Sequence, residues 1–436
     1  MDKAIFILTL LVFSLLTVLD GSRNPVIALL FSSAFMILLA LRLLVPAKSV
    51  ESGRRRFRVV LIAAIPLGGW LCFTWLQAAG VLVGSADAYA SWTEFYLACG
   101  YVSAWMLLVA QLQSPMRLNV FAGVVTLVAV FQVFYGMANY YSSSPAFGWA
   151  PTHYAFHRVT GTYVNRNFFA NLVVMSSGFA LIWLLTRHPS RAVADKDILP
   201  TEVSFVRLGA AVILSLLCSG LLLSGSRGGM VSFAGASLLT ALLLIPMRHI
   251  RVSLWPLALT GVATAILFGA GSMLFRFSNV GIDMADRLEQ WKTTLTIAAA
   301  SPWTGYGAGT YEAVFRNRQS GELGSLTYNH AHNDYLELLF EQGILGIFLA
   351  GLAIVFILSI GIRRVFNCRS VQRKRWILSS LFGISAIFLH AMVDFPLQVP
   401  ANVWLSMALL AILTSASTIE FKPQADQRRI PPGRTG

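Results

Sequence analysis

Tyr328-Asn-His-Ala-His-Asn-Asp-Tyr-Leu-Glu-Leu-Leu-Phe-Glu-Gln-Gly-Ile-Leu-Gly346 sets His330 and His332 beside Asp334 and Glu337 at the mouth of an apolar run that continues to about residue 361. Such a run is long enough to cross a hydrocarbon core, which takes about 20 apolar residues as a helix. The spacing predicts a helix that begins near Asn333. At about 100° per residue, His332, Leu336, Leu339, Gly343 and Gly346 then share one stripe. Small residues on a stripe let a second helix approach inside a bilayer, so this face is expected to turn inward.

Similar runs recur along the 436 residues, which are 56% hydrophobic and only 12% charged. The fold class is an all-α polytopic membrane protein of about 12 transmembrane helices, read at 4–19, 25–45, 59–84, 95–113, 118–138, 168–186, 205–223, 229–246, 252–275, 336–361, 376–395 and 401–418. The first run is an uncleaved span, because Val18-Leu-Asp-Gly-Ser22 lacks a small-x-small cleavage site. A net charge of +14 invites a nucleic-acid partner, but the charge distribution argues against one. With both termini on one side, 24 of the 33 Lys and Arg fall on that side, which is the positive-inside bias of a cytoplasmic face. The others, Arg23, Arg158, Arg166, Arg227, Arg276, Arg287, Lys292, Arg316 and Arg318, need another reason. Four scattered cysteines give neither a disulfide framework nor a metal cage.

The chain divides into an N-terminal five-span scaffold (1–138), spans six to nine (139–275), a large, partly helical outer loop (276–335), three C-terminal spans (336–420) and a polar, Pro-rich tail (421–436) expected to be disordered. In 139–167, aromatics alternate with His153, His157, Arg158 and Arg166, as in an interfacial belt or a surface for stacking sugars. Asn165 and Asn167 either cap the sixth span or bind a ligand. Ser224-Gly-Ser-Arg-Gly-Gly229 is a tight hairpin that places Arg227 at a helix start, where backbone amides and the helix dipole favour an anion. In the loop, Leu288, Trp291, Leu295 and Ala298 are expected on one face of an amphipathic helix begun by Arg287. His390 and Asp394 stand one helical turn apart at the end of span eleven, as a functional or a structural pair.

Three chemistries compete. Alternating His330, His332 and Asp334 would suit a metal on a strand, but on a helix the two histidines diverge. Twelve spans suit a transporter, although a 60-residue outer segment and few charges deep in the spans do not suggest a path. A transferase using a lipid-linked, phosphate-bearing donor accounts for more: Arg227 and Arg287 clamp a diphosphate, and a histidine takes the acceptor proton. The activated bond arrives with the lipid, so no nucleotide site is needed. Gly305, Gly307 and Gly309 follow no strand and are discounted as a nucleotide fingerprint.

Over roughly 160–400 the chain resembles the O-antigen ligase and polysaccharide polymerase superfamily of bacterial envelopes. The resemblance rests on Ser224-Gly-Ser-Arg-Gly-Gly229, on Arg287-Leu-Glu-Gln-Trp291 followed by Ser301-Pro-Trp-Thr-Gly-Tyr-Gly-Ala-Gly-Thr310, and on His332-Asn333 with Gly343 and Gly346 at the motif spacing. It implies a multi-pass enzyme of the bacterial inner membrane, its site facing the periplasm, that uses an undecaprenyl-diphosphate-linked glycan as donor with neither metal nor cofactor. Arg227 and Arg287 would hold the donor pyrophosphate and His332 would activate the acceptor. His330, Asn333, Arg166 and Asn167 complete the expected substrate contacts. The acceptor would be lipid A-core for a ligase, glycan for a polymerase or protein for an O-oligosaccharyltransferase. Ligase is the first expectation, although Gly161-Thr-Tyr-Val-Asn-Arg-Asn-Phe-Phe-Ala170 and Asn329-His-Ala-His-Asn-Asp-Tyr-Leu-Glu337 are also similar to exopolysaccharide-type members.

Overall fold

A computed structural model describes residues 1–19, 21, 24–45, 51–81, 84–142, 158–187, 201–247, 251–252, 280–319 and 327–419. They form thirteen α-helices: α1 (Asp2–Val18), α2 (Pro25–Leu43), α3 (Glu51–Ala78), α4 (Ala88–Gln111), α5 (Pro115–Tyr141), α6 (Arg166–Leu185), α7 (Thr201–Ser224), α8 (Arg227–Leu244), α9 (Val280–Ala298), α10 (Tyr311–Arg316), α11 (Asp334–Asn367), α12 (Val371–His390) and α13 (Pro400–Thr418). Nine of these are long and apolar enough to cross a membrane. Starts are set locally. Proline occupies the first turn of α2, α5 and α13, and the side chains of Asn24, Asp87, Ser114, Ser226, Asn333 and Ser370 cap the helices that follow them.

The other three expected spans divide two ways. The 17-residue α1 and the basic-ended α12 are helices at the expected places, whereas 252–275 lies almost wholly outside the described residues, as do 143–157 of the aromatic segment and the tail.

Chain ends sort into two layers. On one face Asp2 pairs with Arg42 and Arg117, tying the ends of α1, α2 and α5, and a two-residue antiparallel pair, β1 (Thr186–Arg187) with β2 (Arg251–Val252), joins the far ends of α6 and the α8 connection. On the opposite face the Ala86 amide bonds the Tyr306 carbonyl at 2.9 Å, and Ser91 Oγ bonds the Ala308 carbonyl at 2.7 Å. Residues 280–319 therefore dock on the bundle rather than hang from it. They also own a small core of Ile297, Tyr311, Val314 and Phe315 against Phe340.

Helices α6 and α13 form the centre, with 94% of their apolar stretches buried, against 22% for α2 and α11, whose flanks are left for lipid. Helix α12 packs on α6, α8 and α13.

Two expectations are corrected. The stripe through His332, Gly343 and Gly346 does not exist, because α11 starts at Asp334 and is broken at Gly343 (φ 63°, ψ −167°). The break lets the 302–304 backbone enter. Pro302 and Trp303 carbonyls accept from the Ile344 and Leu345 amides, and a Cβ at 343 would stand 2.4 Å from the Trp303 carbonyl carbon. Gly346 makes room for its own Gln342 side chain, which Trp70 Nε1 holds at 2.6 Å. The apolar set on α9 is corrected as well. Leu288 and Leu295 are 55% and 46% exposed, while Gln290, Thr294, Ile297 and Ala298 are buried. The inward face of α9 meets backbone carbonyls and a tyrosine hydroxyl, and polar side chains satisfy those groups where leucine would not.

Candidate functional site

The Ser224–Gly229 connection folds as a turn through Gly225 (φ 64°), and Ser226 Oγ caps α8 by accepting from the Gly229 amide at 3.2 Å. Arg227 is thereby the first residue of α8. Helix α9 brings the second arginine. Arg287 donates to the Val393 carbonyl, one residue before Asp394. A turn further along, Gln290 Nε2 and Trp291 Nε1 donate to the carbonyls of His330 and Ala331 at 2.8 and 2.9 Å. One helix therefore grips both segments that supply the histidines and the carboxylate.

His332 lies just before α11, not on it, and has φ +51°, the sole non-glycine in the left-handed region among the described residues. Such a conformation costs on the order of 1 kcal/mol or more and persists where its surroundings enforce it. Here the carbonyl of Ala331 is held by Trp291, Asn333 caps α11 through the Tyr335 and Leu336 amides, and Asn333 Nδ2 reaches the Met392 carbonyl at 3.0 Å. Asn333 is committed to fixing the histidine in place.

Asp394 is the hub. Helix α12 ends at His390, and Asp394 follows in a turn, nearly buried. One oxygen lies 3.2 Å from His332 Nδ1 and accepts from the Phe395 amide at 3.0 Å. The other accepts from Asn167 Nδ2 and lies 3.8 Å from His390 Nε2. Burial pushes the Asp394 carboxyl up, but the His332 hydrogen bond and the nearby His390, His332 and Arg287 outweigh it and hold the carboxyl below its ordinary value. An ionised carboxylate only accepts, so His332 Nδ1 carries the hydrogen, and in the neutral imidazole Nε2 is then the acceptor.

A cavity of about 240 Å³ opens beside this hub, lined by the starts of α6 and α8, by α9 and by the end of α12. Arg166, Asn167, Arg227, Arg287, His390 and Asp394 face it. Four of the expected site residues thus meet in one place. His332 is joined to it through Asp394. His330 and Asn333 are not among the lining residues: His330 Nδ1 lies 2.7 Å from Glu337 Oε1, and its ring stacks on Phe395 with centroids 4.5 Å apart. Asn165 caps the α6 start by accepting from the Asn167 amide at 2.8 Å, which frees the Asn167 side chain for Asp394.

His330, His332 and Asp334 turn to separate partners, Asp334 taking the Leu397 amide at 2.9 Å. Among the described residues no three His, Cys, Asp or Glu side chains are grouped to hold one metal ion. Sequence reasoning paired Asp394 with His390 alone. Its link to His332 spans 62 residues and leaves no local signal. Gln290 and Trp291, which hold the His330–Ala331 segment, stood in the Arg287–Trp291 motif without a role of their own, and Phe395, against which both imidazoles pack, carried no signal.

A stretch from within α7 to within α11, residues 210–351, matches the family model described as O-antigen ligase. No curated protein matches the chain.

Proposed function

We propose, from the premise that the chain is a member of the O-antigen ligase superfamily, that it transfers a glycan from a polyprenyl-diphosphate carrier to an acceptor hydroxyl at the outer face of the bacterial inner membrane. The observation that carries this reading is the convergence of Arg166, Arg227 and Arg287, from three separate helices, on one cavity whose wall includes the carboxylate partner of His332. Arginine forks suit the paired oxygens of a diphosphate. The carrier diphosphate is then both the handle and the leaving group.

In the transfer step the acceptor oxygen forms a bond to the anomeric carbon as the bond from that carbon to the carrier phosphate breaks. The acceptor proton passes to His332 Nε2, and the electron pair leaves with the diphosphate. Asp394 keeps Nδ1 protonated, fixes the ring and stabilises the imidazolium that results. Arg227 and Arg287 offset the charge that develops on the departing diphosphate.

Within the superfamily we favour an O-antigen ligase acting on a lipid A-core acceptor. The 161–170 and 329–337 segments support polymerase as the second reading. Cells lacking the protein decide between them: accumulated lipid-linked polymer is expected for a lost ligase, and single lipid-linked repeat units would replace that reading with polymerase.

A further inference from the structure

His390 is a buried polar group that the transfer step leaves unused. It ends α12, is 1% exposed and lines the arginine cavity. Its Nδ1 lies 2.9 Å from Asn171 Oδ1, and that amide is oriented by its other end, Nδ2 donating to the Asn167 carbonyl at 2.8 Å. An amide oxygen only accepts, so Nδ1 carries the hydrogen and neutral His390 presents a bare Nε2. This nitrogen is buried with no hydrogen-bond partner among the described residues. Asp394 Oδ2, 3.8 Å away, is itself an acceptor already used by Asn167. Two acceptors therefore face one another across the cavity wall. Gly228 leaves the space in front of them, since a Cβ there would stand 2.5 Å from Nε2.

The charged groups around the ring are Arg166 from α6, Arg227 from α8, Arg287 from α9, and Asp394 beyond α12. Helix α13 carries no charged side chain, and Asp334 of α11 turns to the Leu397 amide. Burial and the nearby Arg287 disfavour a positive charge on the ring, Asp394 favours one, and an arriving diphosphate adds to the favourable side.

We propose that His390 is a ligand of the donor diphosphate, which it binds as an imidazolium through Nε2–H to a phosphate oxygen, taking up one proton as the donor enters. The proposal rests on the polyprenyl-diphosphate reading above. The proton comes from water and returns to it when the carrier leaves, and no covalent bond changes.

Calorimetric titration of geranylgeranyl diphosphate into the nanodisc-embedded protein, in two buffers of different ionisation enthalpy near neutral pH, counts the protons. Uptake approaching one per ligand is expected in the wild type and in His332→Ala. In His390→Gln uptake is lost, binding is about 10-fold weaker, as for one charge-assisted hydrogen bond, and affinity no longer falls as pH rises. Gly228→Ala, which sets a methyl against Nε2, is expected to act in the same direction. Binding that depends on Arg227 and Arg287 but shows equal uptake in wild type and His390→Gln overturns the proposal and leaves the donor reading standing. Should His390→Gln fail to fold, absence of uptake in the wild type overturns it alone. No diphosphate binding by the wild type removes both readings.

Discussion

Two histidine–carboxylate pairs meet at Phe395, whose ring both imidazoles contact, nearly equal in form and unequal in setting. His330–Glu337 is the tighter, at 2.7 Å against 3.2 Å for His332–Asp394, and the two imidazoles are about equally exposed, 33% and 34%. Their surroundings differ. Glu337 sits in the first half of α11 between buried Asp334 and Glu341, and its second oxygen takes the Ala331 amide at 2.8 Å. Asp394 sits in a turn in the wall of a cavity that three arginines also line. A close histidine–carboxylate contact therefore does not by itself identify a base. What distinguishes His332 is that its partner belongs to the wall of a cationic cavity and its backbone is held in a left-handed conformation.

The comparison breaks most visibly on His332→Ala. A general base contributes about 10²–10⁴-fold, and transfer by the purified, reconstituted protein is expected to fall by that much. His330→Ala is expected to cost only a few-fold in rate while lowering thermal stability more, since it leaves the buried Glu337 without its side-chain partner. Chelator should change neither protein. Equal loss of activity in both variants, with reversal of a chelator effect by divalent metal, would make the histidines metal ligands and erase the distinction.

Asp394→Asn tests the hub next, with an expected loss on the order of 10²-fold from a disturbed tautomer. A depressed carboxyl also has a pH signature. The stability Asp394 contributes is fully present above the ordinary aspartate value and is lost as pH falls through the lowered folded-state value. Acid unfolding followed by tryptophan fluorescence should thus show a contribution, confined to pH below about 4, that disappears in Asp394→Asn. An unchanged acid limb would deny the carboxylate its charged partners.

Arg227→Lys and Arg287→Lys keep charge and lose the planar fork, so roughly 10-fold slower transfer is expected of each, with normal insertion. Arg318→Lys is the control, because Arg318 contacts Tyr306, outside the cavity. Uniform activity in all three would move the diphosphate elsewhere. The smallest effect belongs to markers of sidedness. In a protein whose four cysteines are replaced, Glu312→Cys and Arg369→Cys should leave activity unchanged. Glu312→Cys should label from outside, and Arg369→Cys only after permeabilisation. The reverse pattern would turn the cavity toward the cytoplasm.

Hydropathy, proline at helix starts and the distribution of arginine are local or additive properties, and from them the amino-acid sequence by itself determined that this is a helical membrane protein, roughly where its helices lie, and which arginines and histidines call for explanation. Motif spacing added Arg227, Arg287 and His332 through resemblance. Tertiary structure alone decided what depends on chain segments meeting. Helical periodicity placed His332 on a stripe with Gly343, but a cap at Asn333 and a backbone inserted at Gly343 override that periodicity. The apolar pattern on α9 pointed its leucines inward, yet the carbonyls they would have faced require donors. Asp394 found His332 across 62 residues, a distance over which no spacing rule operates, because the pairing is made by α9 gripping both segments at once.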